Sequence, residues 1–334
     1  MATEACSHLV LELWMPANEY HCSDCKVQVR DVGRIAAEGA WLERIEGEDR
    51  QMLSIGGVGQ HAPLKGRAAV LAHERGVTID WLVQWTTKHD LWALPTWQVK
   101  RSMVVPRTSK TRCRFVDLPQ MRDVRGPAQT FVSHCWGASW GSLVSAVADH
   151  ADPSRRVWID IFAVRQWPGN QCDLDFKGVI SKCSSFVLVC ASLPSVSNMD
   201  KFAALRRDLH LIPDTDKKKL AFFRVWCLVE IAHARQCSLE GPKSMAIVMK
   251  CGERCLGLEA ADAYHAFKPD SKMLWKLGGL VDVAHAEATV EADRERIMAD
   301  IARDGGCDII NRMVRATCWA AGHAVAPHPS VAVL

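Results

Sequence analysis

The sequence predicts an α/β protein, an open five-stranded parallel sheet flanked by helices and preceded by a helical extension. Three observations carry this. Five short apolar runs rich in β-branched or aromatic residues lie between Thr130 and Val283, as expected of strands buried on both faces. Between them are stretches with helical spacing, each long enough for a crossover, so neighbouring strands run parallel with right-handed connections. The rhythm sets in after Gly126-Pro127, where helical spacing gives way to alternating strand and helix.

Residues 1–63 are irregular, with Gly56, Gly57 and Gly59 and little periodicity beyond a short helical stretch from Val32 to Ile45, and are expected to be partly disordered. Residues 64–126 form the extension. Helical spacing returns from Leu64 to Gln98, through Val70, Leu71, Ile79, Leu82 and Val83 with Thr78 as an N-cap, which predicts two or three helices packed on the main domain.

The main domain is expected over 127–320, with 321–334 as a flexible tail. Its strands are assigned to Thr130 to Cys135, Val157 to Val164, Phe186 to Ala191, Met245 to Met249 and Leu280 to Val283. Its helices are assigned to Ser142 to His150, Phe176 to Cys183, Arg224 to Gln236, Leu256 to Phe267, Val290 to Ala302 and Ile309 to Trp319.

Composition narrows the function classes. Apolar residues at 49% support a real core, and a formal charge of +3 with scattered basic residues leaves no footprint for nucleic acid or anionic lipid. The N-terminus lacks a secretory signal, and no apolar run approaches a membrane span, so a soluble cytoplasmic chain is expected. The fourteen cysteines sit largely inside apolar runs, among them Cys135, Cys183, Cys190, Cys227 and Cys318, and read as reduced thiols. Tryptophans gather at Trp81, Trp85, Trp92 and Trp97, a pattern that builds cores more often than binding faces. Cys22-x-x-Cys25, with His21, His8 and Cys6 nearby, has enough ligands for zinc, but a lone pair with irregular partners is a weak signal, and no metal or other cofactor is expected.

In an open parallel sheet, ligands bind beyond the carboxyl ends of the strands, where the order of strands reverses. Three polar clusters converge there: Ser133-His134-Cys135-Trp136-Gly137, Arg165 to Asn170, and the helix start Arg224 to Glu230. On that helix Trp226, Glu230 and His233 share one face. The helix dipole favours an ionised Glu230 and burial against Trp226 a neutral one, so its protonation stays open. Arg165 is read either as a bidentate phosphate contact or as a bridge to an acid such as Asp173. Asp160, inside an apolar strand, is either hydrogen-bonded at the strand end or part of the site. Ser133 and His134 point to opposite faces and cannot act together as nucleophile and base.

The run Trp226-Cys227-Leu228-Val229-Glu230-Ile231 resembles the Trp-Cys-Leu-x-Glu-Leu segment of TIR domains, and Phe131-Val132-Ser133 is similar to their opening strand. Ser133 to Gly137, and Trp158-Ile159-Asp160 followed by Gln166, also resemble the fungal heterokaryon-incompatibility domain. The resemblance spans about the last two hundred residues. It implies a flavodoxin-like, TIR-like fold, cleavage of NAD at the nicotinamide–ribose bond with Glu230 as the catalytic carboxylate, and a role in stress or defence signalling. NAD or a related nucleotide is then a substrate, not a cofactor, bound by Ser133, His134, Trp136, Arg165 and Trp226. Self-association through the α/β domain is the partner implied, and an assembly module without turnover is the alternative. Two departures from the TIR pattern are the long segment Ser192 to Phe223, with Lys217-Lys218-Lys219 and an expected helix around Asp200 to Leu209, and the Trp167-Pro168-Gly169 loop after the second strand.

Overall fold

The structure, a computed structural model, describes residues 11–14, 19–22, 28–29, 70–167, 170, 173–191, 212–241, 245–254, 264–265 and 267–324. Strands β1 (Leu11–Trp14), β2 (Glu19–Cys22) and β3 (Gln28–Val29) pair as a small antiparallel sheet, so the first sixty residues are not uniformly irregular. The helical stretch expected from Val32 to Ile45, and Cys6, His8 and Cys25, lie outside the described residues.

The main sheet has seven strands, β4 (Gly76–Thr78), β5 (Arg125–Gly126), β6 (Thr130–His134), β7 (Arg156–Trp158), β8 (Ser185–Ala191), β9 (Ala246–Arg254) and β10 (Phe267–Pro269), in the order β10-β9-β8-β6-β7-β4-β5. The protein is α/β, but the sheet is mixed. Strands β9, β8, β6 and β7 run parallel, while β10, β4 and β5 join antiparallel at the two edges. The expectation of five parallel strands is therefore corrected in three places. Leu280 to Val283 is no strand: Leu280, Val281 and Val283 are buried, and the chain turns there into a 3-10 segment, Val283–His285. The side chain of Asn311 accepts the Val283 N–H at 2.9 Å. A short run with three apolar residues, broken by Asp282, fits a buried turn as well as a strand. The edge beside β9 is taken instead by β10, where Pro269 lacks a donor that an edge strand can spare. Only the start of the Val157 to Val164 run pairs, since Asp160–Ala163 is helical.

The extension is part of this sheet, because β4 and β5 both precede residue 127. Helix α1 (Ile79–Lys88) follows β4 directly, with the Thr78 hydroxyl accepting the Trp81 N–H. It is followed by α2 (Thr96–Val99), a π-helical turn (Lys100–Val104) and α3 (Val105–Thr108). The remaining helices are α4 (Trp140–Ala148), α5 (Asp160–Ala163), α6 (Phe176–Ile180), α7 (Asp214–Lys217), α8 (Val225–Glu240), α9 (Ser271–Gly279), α10 (Glu291–Arg303) and α11 (Cys307–Ala324). Helix α11 thus runs on into the expected tail. The helices expected around Asp200 to Leu209 and over most of Leu256 to Phe267 lie outside the described residues.

Alternation along β6 divides the core. Phe131 packs with Trp158, Phe186, Leu228 and Ile231 on one face, whereas Val132 packs with Val157, Val189, Trp140 and Phe162 on the other. The second face rests on an aromatic cluster in which Trp85 meets Trp140, Phe115 and Phe162 edge-on. At Gly141 the approach of α4 to the preceding loop is close: a Cβ there would lie 2.2 Å from the Trp92 carbonyl oxygen, so only glycine fits. Several thiols fill the same core. Burial pushes Cys135 up to about 11 and Cys183 and Cys318 up to about 12, which keeps them protonated and unreactive. No helix of the described residues is long and apolar enough to cross a membrane.

Candidate functional site

The strand order reverses at β6: the chain passes from β6 to β7 on one side, then returns to β8 on the other. Side chains at the carboxyl end of β6 therefore stand where an α/β sheet offers a ligand crevice. Ser133 and His134 occupy that end and, as strand neighbours, face opposite ways.

Ser133 meets α8. That helix starts where Arg224 is still extended, and the Val225 N–H donates to the Glu287 carbonyl. Its second turn brings Glu230 over the strand end, where the Ser133 hydroxyl donates to Oε2 at 2.6 Å. Glu230 is 8% exposed. Burial pushes its pKa up to about 8, against the pull of the Ser133 hydrogen bond and with a further push from the negative charge of Asp160. Burial outweighs the helix dipole, which fades beyond the first turn, so Glu230 is protonated at neutral pH.

Trp226 lies one turn earlier on the same helix. Its ring meets Phe176 edge-on, with centroids 5.0 Å apart, and the Arg296 guanidinium stands 5.2 Å from its centroid. These groups and Glu230 line a cleft of roughly 200 Å³ between α6, α8 and α10. His233, expected on the same face, is held beside it: its Nε2 lies 3.1 Å from the Lys177 carbonyl and 3.0 Å from the Ser181 hydroxyl.

His134 and Trp136 belong to a second cluster, on the far side of β6. The Trp136 indole N–H donates to Asp160 Oδ2 at 2.7 Å, and the Ile161 N–H donates to Oδ1 at 2.7 Å. His134 Nε2 lies 4.0 Å from Asp160 Oδ1. Burial lowers the His134 pKa more than Asp160 raises it, so the imidazole is neutral. Lys100 places its ammonium 4.7 Å above the Trp136 ring, and burial lowers its pKa despite the nearby Asp160.

Arg165 sits apart from both clusters, in a buried ion network. Its Nε donates to Asp173 Oδ2 at 3.0 Å, while Arg75 and Arg114 donate to Oδ1. Of the two roles left open for Arg165, the bridge to Asp173 is the one formed. The structure thus brings Ser133 together with Glu230 and Trp226, and His134 together with Trp136, in two groups that meet at the end of β6. Sequence reasoning did not single out Lys100, Phe176 or Arg296. Each lies on an amphipathic stretch where a lone charge or ring carries no local signal.

Among the described residues no three side chains of metal-ligating type come together. Comparison with family models, curated proteins and solved structures finds no match for this chain.

Proposed function

We propose that this chain is a TIR-like domain that cleaves NAD at the nicotinamide–ribose bond, with Glu230 as the carboxylate that stabilises the transition state. The observation that supports the reading is Glu230 itself, a buried carboxyl with a strongly raised pKa that lines a cleft with Trp226 and Phe176. Perturbed acids in clefts with an aromatic wall are the usual mark of a reactive site.

The protonated resting state is compatible with this chemistry. The nicotinamide ring of NAD is a cation, and a cation within ~4–6 Å of a carboxyl favours its ionised form. Substrate binding beside Glu230 would draw off its proton and leave a carboxylate under the forming oxocarbenium ion. Nicotinamide departs as a neutral base and needs no general acid. Trp226 and Phe176 offer ring faces, and Arg296 offers charge for the pyrophosphate.

This account predicts that a carbocyclic NAD analogue, which keeps the pyridinium cation but cannot be hydrolysed, releases about one proton on binding at pH 7, because Glu230 begins protonated, whereas NADH, whose ring is neutral, releases far less. Calorimetry in two buffers of different ionisation enthalpy counts the protons. Equal counts for the two nucleotides would place Glu230 away from the pyridinium. An assembly module without turnover is the second reading, favoured by the small exposure of Glu230 and its satisfied contact to Ser133.

A further inference from the structure

Oε2 of Glu230 accepts from the Ser133 hydroxyl, so the proton that the neutral carboxyl carries sits on Oε1. Among the described residues Oε1 takes no hydrogen bond, and it is not one of the polar atoms closed off from solvent. The charged groups that face the cleft are Asp175 and Lys177 on α6, Arg296 and Asp300 on α10, and Asp304. Lys177 pairs with Asp304 at 3.4 Å, Arg296 with Asp293 at 3.2 Å and Arg303 with Asp300, while Asp175 caps α6, so none of them compensates a carboxylate at Glu230. Asp160, across the strand end, adds a like charge. The open oxygen of Glu230 is therefore an O–H donor in a largely apolar cleft, the environment that suits a general acid.

The walls of the cleft bear on the leaving group. The Arg296 guanidinium already stands 5.2 Å from the Trp226 ring centroid, so a neutral ring enters beside that wall without charge repulsion. Burying a neutral ring against Val229, Ile297 and Ile301 also avoids desolvating a charge. A neutral nitrogen base held by ribose departs as an anion unless it is protonated, so it needs the donor that nicotinamide does not. We propose that the same cleft cleaves ribosides of neutral nitrogen bases, purine ribosides above all, with the Oε1–H group of Glu230 as general acid to the departing base. This extends the site to a second substrate class and rests on the reading of the cleft as one that cleaves N-ribosides.

The step balances. The bond from the anomeric carbon to the base nitrogen breaks, and its electron pair leaves on the base. The Oε1 proton passes to a second ring nitrogen, so the base departs neutral. Glu230 is then a carboxylate beside the oxocarbenium ion, which it stabilises. A water oxygen bonds to the anomeric carbon and gives one proton to solvent, and Glu230 regains from solvent the proton it lost. The products are ribose and the free base.

The test compares two leaving groups in the full chain. Hypoxanthine in inosine needs a proton to depart, whereas nitrophenolate in 4-nitrophenyl riboside is stable as the anion. Inosine hydrolysis by the native protein is expected to be level below about pH 8 and to fall about tenfold per pH unit above it, as Glu230 loses its proton; nitrophenyl riboside hydrolysis is expected to show no such fall. Glu230→Gln, checked for folding by near-ultraviolet circular dichroism, is expected to lose inosine hydrolysis by about 10²-fold or more, and at least about tenfold more than nitrophenyl riboside hydrolysis. Inosine hydrolysis that rises through pH 8, or equal loss of the two substrates in Glu230→Gln, would overturn the general acid. A native protein that releases nicotinamide from NAD but leaves inosine intact overturns this inference alone. Cleavage of inosine without release of nicotinamide supports it and overturns the NAD reading, and cleavage of neither overturns both.

Discussion

Glu230→Gln is expected to match the native protein in stability near pH 4.5 and to exceed it by about 3–5 kcal/mol at pH 8. In the unfolded chain Glu230 ionises around pH 4.5, but in the folded chain it holds its proton up to about pH 8. Between those values the folded state binds a proton that the unfolded state does not, so stability falls as pH rises. Glutamine reproduces the shape of the neutral acid and can accept from Ser133, but it never has to ionise in the core. Urea unfolding across this range measures the difference. Parallel stability curves for the two proteins would show that Glu230 is ionised in the fold and that burial does not govern it.

Asp173→Asn is expected to cost about 3–5 kcal/mol, because it leaves three arginines facing a buried neutral group. Asp173 is fully buried, with Arg75, Arg114 and Arg165 all donating to it. Burial alone would push its pKa up, but the guanidiniums, Arg114 foremost, outweigh it and hold the carboxyl below the usual range. The sign for pH follows: this contribution is present above the ordinary carboxyl pKa and is lost as the solution is acidified through the folded-state value. Acid unfolding of the native protein is therefore expected to be steep, and Asp173→Asn to have much of that pH dependence removed. A variant as stable as the native protein at pH 7 would show that the network is solvated and contributes little.

The parts of the fold legible in the sequence are those set by local pattern. The apolar runs of β6, β8 and β9 and the spacing of Trp226 and Glu230 on α8 could be read directly, as could the Thr78 cap. The short edge strands β4, β5 and β10 could not. Two or three residues carry no periodicity, and their pairing depends on partners far along the chain, as Val77 does on Val157. Leu280 to Val283 misled because burial, not strand geometry, makes it apolar. In the site, strand alternation correctly kept Ser133 and His134 apart. The contact from Trp136 to Asp160, and the convergence of Arg75, Arg114 and Arg165 on one acid, are long-range events for which no spacing gives notice.

The central claim is that Glu230 cleaves NAD. Its most direct measurement is nicotinamide release from NAD by the purified, folded protein at high concentration, beside Glu230→Gln prepared identically. The account predicts release by the native chain, lost by about 10²-fold or more in Glu230→Gln even though that variant is the more stable at pH 8. Undiminished release in the variant would contradict the role of Glu230, and no release from an assembled, folded native sample would contradict the activity itself.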